Sequence, residues 1–111
     1  MARGLSWGDI RLVDLGAPDK RRPALVLTRG VLLPHLTQIV VAPITRTVRG
    51  IATEVPLGTE HGLKEPSAAK LDQLQAVHRD RLGRHLGSID ATRKRDVRDA
   101  LLFALDLDDV T

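Results

Sequence analysis

RRPALVLTR (residues 21–29) and IVVAPITRT (residues 39–47) are two apolar runs, each with polar groups at one end. Arg22 stands just before the first run, and Pro23 holds it in extended geometry. Thr45 stands just after the second run. If both runs are strands of one small sheet, a guanidinium and a hydroxyl could meet at its rim. A cationic fork beside a neutral hydrogen-bond donor suits a phosphate diester.

Short β-type runs separated by Gly and Pro turns fill most of the remaining chain. Strands are predicted over residues 8–15, 24–28, 38–44, 51–57, 67–74 and 84–89. Residues 29–36 are predicted as one helical turn or a loop, residues 60–66 as a loop, and residues 79–82 as a short turn.

One helix is predicted, over residues 90–105. Asp90 is a suitable N-cap, because its carboxylate can accept from free backbone N–H groups. Apolar residues recur at helical spacing and form one face: Val97, Ala100, Leu101, Ala104 and Leu105. Many short strands followed by one terminal helix indicate a mostly β fold, a small antiparallel barrel with a C-terminal helix.

Composition sets the class of protein. The chain has 111 residues, which predicts a single domain spanning residues 1–111. Lys and Arg number 17 against 14 Asp and Glu, giving a net charge of +3 that permits an anionic partner without demanding one. There is no cysteine for disulfides or thiolate chemistry. No apolar run is long enough for a membrane span and none looks like a signal peptide, so a cytoplasmic location is expected.

Five segments occur in the order and rough spacing of the MazF/PemK-like toxin family: WGDIRLVDL, RRPALVLTR, IVVAPITRT, TEVPL and SAAKLDQLQAV. The chain therefore resembles that family from about Trp7 to its end. The resemblance implies an SH3-like, CcdB-like barrel of five to seven strands. It also implies a homodimeric endoribonuclease, the toxin of a type II toxin–antitoxin system, inhibited by a cognate antitoxin of the MazE type or another small protein.

The chemistry expected of such an enzyme follows from RNA itself. The ribose 2′-hydroxyl attacks the adjacent phosphate, and the products carry a 2′,3′-cyclic phosphate and a 5′-hydroxyl. A protein can supply the base, the acid and the positive charge without a metal. The prediction is metal-independent, sequence-specific cleavage of single-stranded RNA with no cofactor.

The family pattern assigns catalytic roles to Arg22, immediately before Pro23, and to Thr45, in the A-P-I-T element. On the residues alone, the favoured interpretation of Arg22 is a solvated loop arginine, and that of Thr45 is a strand-end threonine bonding to its own backbone. Substrate contacts are predicted at seven further residues: Arg21, Arg46, Thr47, Ser67, Lys70, Asp72 and Gln73. Lys70 and Asp72 are expected on one face of the fifth strand.

Two other features affect the acid–base assignment. The histidines (His35, His61, His78 and His85) lack metal-ligand spacing and are predicted to be ordinary surface or half-buried residues, with His35 the one worth testing. The loop after the first strand is compressed to GAPDKRR. Many family members carry an acidic residue there, and Asp19 is a candidate replacement.

Two other functions remain as alternatives. A non-catalytic barrel that binds RNA or protein usually shows stacking aromatics, whereas this chain has only Trp7 and Phe103. A gyrase-poisoning toxin of the related fold acts through an aromatic-containing tail, whereas this chain ends Asp-Asp-Val-Thr.

Overall fold

The computed structural model describes residues 4–18 and 20–109. Within them the chain forms a seven-stranded antiparallel sheet and one α-helix. The strands are β1 (Asp9–Asp14), β2 (Arg21–Val26), β3 (Gln38–Thr45), β4 (Glu54–Leu57), β5 (Ser67–Lys70), β6 (Gln75–His78) and β7 (Leu82–Ser88), and the helix is α1 (Ala91–Ala104). Short 3₁₀ helices cover Gly30–His35, Thr59–His61 and Arg79–Arg81.

The sheet curls into a half-barrel because one long strand belongs to both of its halves. The order is β4-β5-β3-β2-β1-β7, and β6 also pairs with β3. The first half of β3 pairs with β6, from Gln38 to Val41, and its end pairs with β5, at Ile44 and Thr45. The predicted fold class, mostly β with a small antiparallel barrel and a C-terminal helix, is confirmed.

Two apolar clusters stabilise this sheet from its two faces. One cluster joins Ile10, Leu25 and Ile44 to Val97 and Ala100 of α1, all buried. The other contains the side chains that alternate with these along the strands, together with Leu33 of the first 3₁₀ helix: Val13, Ala24, Val26, Ile39, Val41 and Val77. Side chains of a strand point alternately to opposite faces, so each apolar run in β1, β2 and β3 contributes to both clusters.

The helix begins where the sequence predicted. The Asp90 carboxylate accepts a hydrogen bond from the Arg93 backbone N–H at 3.0 Å, which makes Asp90 the N-cap. That bond is the main reason why the pKa of Asp90 lies below its ordinary value. The Lys94 ammonium lies 4.9 Å from the centre of the Trp7 ring. α1 is too short and too polar to cross a membrane, and it is the longest helix in the described ranges.

Several predicted strand boundaries are wrong, and β6 (Gln75–His78) was not predicted at all. The strand predicted over residues 51–57 begins only at Glu54, and the second strand begins at Arg21 rather than at residue 24. The strand predicted over residues 67–74 ends at Lys70, where the Gln73 N–H donates to the Lys70 carbonyl at 3.1 Å and closes a turn. Asp72 therefore lies in an exposed turn and shares no strand face with Lys70. The pattern missed this turn because it contains no Gly or Pro.

Candidate functional site

A groove of about 620 Å³ opens at one end of the half-barrel. Its walls come from the rims of β1, β2, β3 and β7 and from the loop after the second 3₁₀ helix. The lining residues are Leu12, Pro18, Arg21, Arg22, Pro23, Ile44, Arg46, Gly62, Leu63, Lys64, Glu65, Ser67, Arg84 and Leu86.

The two arginines at the start of β2 both line this groove. Arg22 pairs across the sheet with Val13 of β1, and Arg21 pairs with Asp14. Arg22 is partly buried, whereas Arg21 is exposed. Strand pairing thus fixes the backbone of Arg22, and the ring of Pro23 fixes its own φ directly after it. The groove receives a guanidinium from an ordered strand rather than from a loop.

Thr45 is the last residue of β3, two positions beyond the end of the β2–β3 ladder, and it pairs with Ala68 of β5. The β2–β3 ladder pairs Ala24 with Pro43. Continuing that antiparallel register by two residues places Arg22 opposite Thr45, so both side chains project from one face. Thr45 Oγ1 accepts a hydrogen bond from the Thr47 backbone N–H at 3.0 Å, which leaves its hydroxyl hydrogen available to donate. The alternative role predicted for Thr45, a hydrogen bond to its own local backbone, is therefore present.

Arg46, Glu65 and Ser67 form a connected group on another wall of the groove. Arg46 Nη1 donates to Glu65 Oε2 at 3.2 Å, between two exposed side chains. Ser67 is buried, and its hydroxyl donates to the Glu65 backbone carbonyl at 3.0 Å. Ser67 therefore fixes the backbone of Glu65, and Glu65 in turn orients Arg46.

The loop that carries Lys64 and Glu65 is held by His61 and by a close backbone contact. His61 is buried, contrary to the predicted surface or half-buried position, and its Nδ1 accepts from the Gly58 N–H at 3.1 Å. Gly62 and Gly87 lie face to face: a Cβ on Gly87 would overlap the His61 carbonyl oxygen, and one on Gly62 the Leu86 carbonyl oxygen. This packing ties the loop to β7.

Of the predicted site residues, the groove brings together Arg21, Arg22, Arg46 and Ser67. The other predicted site residues do not line it: Thr45, Thr47, Lys70, Asp72 and Gln73. Lys70 pairs instead with Glu54 of β4 at the far side of the sheet. Asp19 lies outside the described residues.

Sequence reasoning missed two charged residues of the groove, Lys64 and Glu65. Both lie in the loop just before Ser67, and no local sequence pattern marked them as site residues.

The charge of the groove is strongly unbalanced. Its described lining residues carry five cationic side chains and one carboxylate. The cations come from β2, from the residue after β3, from β7 and from the loop after the second 3₁₀ helix. Such a concentration of fixed positive charge in a concave surface attracts a polyanion.

Comparison with known proteins places the chain among toxins. Residues 6–105 match the model of a family described as PemK-like, MazF-like toxin of type II toxin–antitoxin system. The chain is 44% identical over 99 residues to endoribonuclease MazF3 of Mycobacterium tuberculosis, covering 89% of this chain and 96% of that protein.

Two solved structures show the same fold. The Mycobacterium tuberculosis toxin MazF-mt6 superposes with a TM-score of 0.85 at 45% identity, over 90% of this chain and 98% of that one. A mycobacterial endoribonuclease in complex with its cognate antitoxin superposes with a TM-score of 0.83 at 26% identity, over 94% and 97% of the two chains.

Proposed function

The chain belongs to the PemK-like, MazF-like toxin family of type II toxin–antitoxin systems, and on that premise we propose that it is an endoribonuclease that cleaves single-stranded RNA in its basic groove. The observation that carries this proposal is the convergence of Arg21, Arg22 and Arg46 on one concave surface. A non-catalytic barrel is disfavoured because the relatives are named as endoribonucleases.

The reaction is attack by a ribose 2′-hydroxyl on the neighbouring phosphate. Negative charge grows on the non-bridging oxygens as the pentacoordinate state forms, and a guanidinium aimed at those oxygens stabilises it. Arg22 has this role, because strand pairing holds its backbone and its side chain reaches the groove. Thr45, opposite Arg22 in the continued register, donates its hydroxyl hydrogen to the same phosphate.

Other cations bind the rest of the strand. Arg21, Lys64 and Arg84 line the groove beyond Arg22 and contact phosphates that flank the cleaved one. Phosphate contacts of this kind hold the strand in register without reading its bases. They make RNA affinity fall steeply as salt concentration rises.

The same surface is where an antitoxin would act. An acidic segment of a cognate antitoxin would find the same five cations that RNA uses, so its binding and RNA binding exclude each other. The related mycobacterial endoribonuclease has been solved in complex with its cognate antitoxin. The working form of the toxin is proposed to be a homodimer.

The proposal is tested by incubating the purified protein with a long RNA in excess EDTA and mapping the new ends. We expect discrete cuts with 2′,3′-cyclic phosphate and 5′-hydroxyl termini, and no cut where the nucleotide on the 5′ side of the cut carries 2′-deoxyribose. Activity lost in EDTA and restored by Mg²⁺, or cleavage of the deoxy-substituted strand, would contradict the mechanism.

A further inference from the structure

Cleavage by 2′-hydroxyl attack needs a group that takes the hydroxyl proton. Among the described residues that line the groove there is no histidine, and the cations cannot accept a proton. Glu65 is the one carboxylate in that set. The inference below rests on the proposed function, since it concerns how the same site performs the reaction.

Glu65 is held at the groove by two contacts. Its Oε2 lies 3.2 Å from Arg46 Nη1, so the carboxylate stands beside a guanidinium that faces the same groove. Its backbone is fixed by the buried Ser67 hydroxyl at 3.0 Å. The second oxygen, Oε1, has no hydrogen-bond partner among the described residues. One oxygen is thus held in place while the other can accept from a substrate hydroxyl.

The charge of Glu65 is unfavourable for binding alone. A carboxylate in a phosphate-binding groove repels the substrate, and it also neutralises part of the charge of Arg46. A residue that only positioned RNA would be better as an amide. The negative charge of Glu65 weakens RNA binding, which is expected of a group that contributes as a base in the chemical step.

We propose that Glu65 is the general base for RNA cleavage. The Glu65 carboxylate removes the proton from the 2′-hydroxyl as the 2′-oxygen forms its bond to phosphorus. The bond from phosphorus to the 5′-oxygen then breaks, and the departing oxygen takes a proton from solvent water. Glu65 returns its proton to solvent, so the cycle balances without a further reactant. The ion pair with Arg46 holds the carboxylate in place.

The first test is Glu65→Gln, which removes basicity and charge while nearly preserving shape. Single-turnover cleavage is expected to slow by roughly 100- to 10,000-fold, the usual contribution of a positioned base. Binding of an RNA with 2′-deoxyribose at the cut site should stay equal or become tighter, because a repulsive charge is gone. Unchanged cleavage by Glu65→Gln, or slower cleavage explained entirely by weaker binding, would overturn the assignment.

The second test is chemical rescue. Glu65→Ala leaves room for a small carboxylate at an exposed position, so formate or acetate should restore part of the rate in proportion to its concentration. The anions should do nothing for Glu65→Gln, whose side chain still fills the site. Failure of every small carboxylate to accelerate folded Glu65→Ala would contradict a proton-accepting role.

Two controls separate this inference from its rivals. Glu60→Gln removes an exposed carboxylate that does not line the groove, and it should cleave like the parent. Asp19→Asn tests the other acidic candidate, and a large loss of rate there with no loss in Glu65→Gln would overturn the proposal.

In Glu65→Gln, cleavage must slow to the same extent at every mapped site. Slowing only at sites with one particular base would mean that Glu65 recognises a base instead. A parent protein that cleaves no RNA would refute the proposed function itself.

Discussion

Thr45 shows how one side chain serves the fold and the site together. Its oxygen caps the end of β3 by accepting from the Thr47 N–H, and its hydrogen remains for substrate. The register of β2 and β3 places it across from Arg22. A hydroxyl at this point is therefore expected to matter more for cleavage than for folding, because the bond to Thr47 is exposed.

Thr45→Val should keep the shape of the strand and lose the hydroxyl. Hydrogen bonds to charged groups contribute about 1.5–3 kcal/mol, so cleavage should slow roughly ten- to a hundred-fold. Thr45→Ser restores the donor and should recover most of the rate. Circular dichroism confirms folding in each variant, and equal rates for the parent and Thr45→Val would remove Thr45 from the mechanism.

At the residue scale, groove residues on or next to strands were predicted from the sequence, whereas groove residues in a loop were missed. Arg21, Arg22 and Arg46 flank apolar runs. The composition of these runs predicts paired strands, so the sequence could indicate that the three arginines lie close together. Lys64 and Glu65 belong to a loop whose course depends on the packing of Gly62 against β7, which no local pattern encodes. The strand position predicted for Asp72 was wrong for a different reason, because a turn without Gly or Pro has the sequence pattern of a continuing strand.

At the scale of elements, the groove depends on the contact between the Gly62 loop and β7. Gly87 does not have a positive φ, so glycine is required at this position only because there is no room for a Cβ. Any Cβ there would meet the His61 carbonyl, a backbone atom that cannot rotate away. The loop that carries Lys64 and Glu65 would then be pushed from β7.

Gly87→Ala is therefore expected to destabilise the fold by about 1–3 kcal/mol, the typical effect of overpacking. Cleavage by the folded fraction should also fall, because the groove wall moves. Gly30→Ala is the matched control, since no atom lies within 4 Å of a Cβ placed there. Urea denaturation measures both variants, and equal midpoints for Gly87→Ala and the parent would contradict the described contact.

The cap of α1 makes a pH-dependent contribution. The Arg93 backbone N–H lowers the pKa of Asp90 in the folded state. A lowered folded pKa means that this stabilisation is present above the pKa of the unfolded chain and is lost as pH falls through the folded value. Asp90→Ala should therefore lower Tm at neutral pH, and the difference from the parent should shrink in acid. Asp90→Asn keeps a capping side chain and should show the smaller loss. A Tm difference that does not change with pH would contradict this account.

At the scale of the whole molecule, the exposed apolar surface favours self-association. Val31, Leu32 and Leu36 are 70%, 45% and 39% exposed on and beside the first 3₁₀ helix. Arg79 holds that segment rigid, because its Nη1 donates to the Leu33 and Leu36 carbonyls at 2.6 and 2.7 Å. A rigid apolar patch loses little entropy on binding a second copy.

The protein is expected to be a homodimer by light scattering at micromolar concentration, and Leu32→Glu should dissociate it. Phe103→Glu is the control, because Phe103 is 54% exposed on α1, away from the patch. A monomeric parent, or dissociation by Phe103→Glu but not by Leu32→Glu, would contradict this prediction.

The central claim is that Arg22 stabilises the transition state of RNA cleavage in the groove. The most direct measurement is the single-turnover rate of Arg22→Ala on one mapped RNA site, beside Arg21→Ala and Arg95→Ala. Arg95 is exposed on α1 and outside the groove, so its variant removes the same charge elsewhere. Arg22→Ala should cleave about 100- to 1,000-fold more slowly. Arg21→Ala should lose far less and Arg95→Ala almost nothing, while Arg22→Lys should recover only part of the rate, because lysine lacks the planar fork. A folded Arg22→Ala that cleaves as fast as the parent would contradict the account.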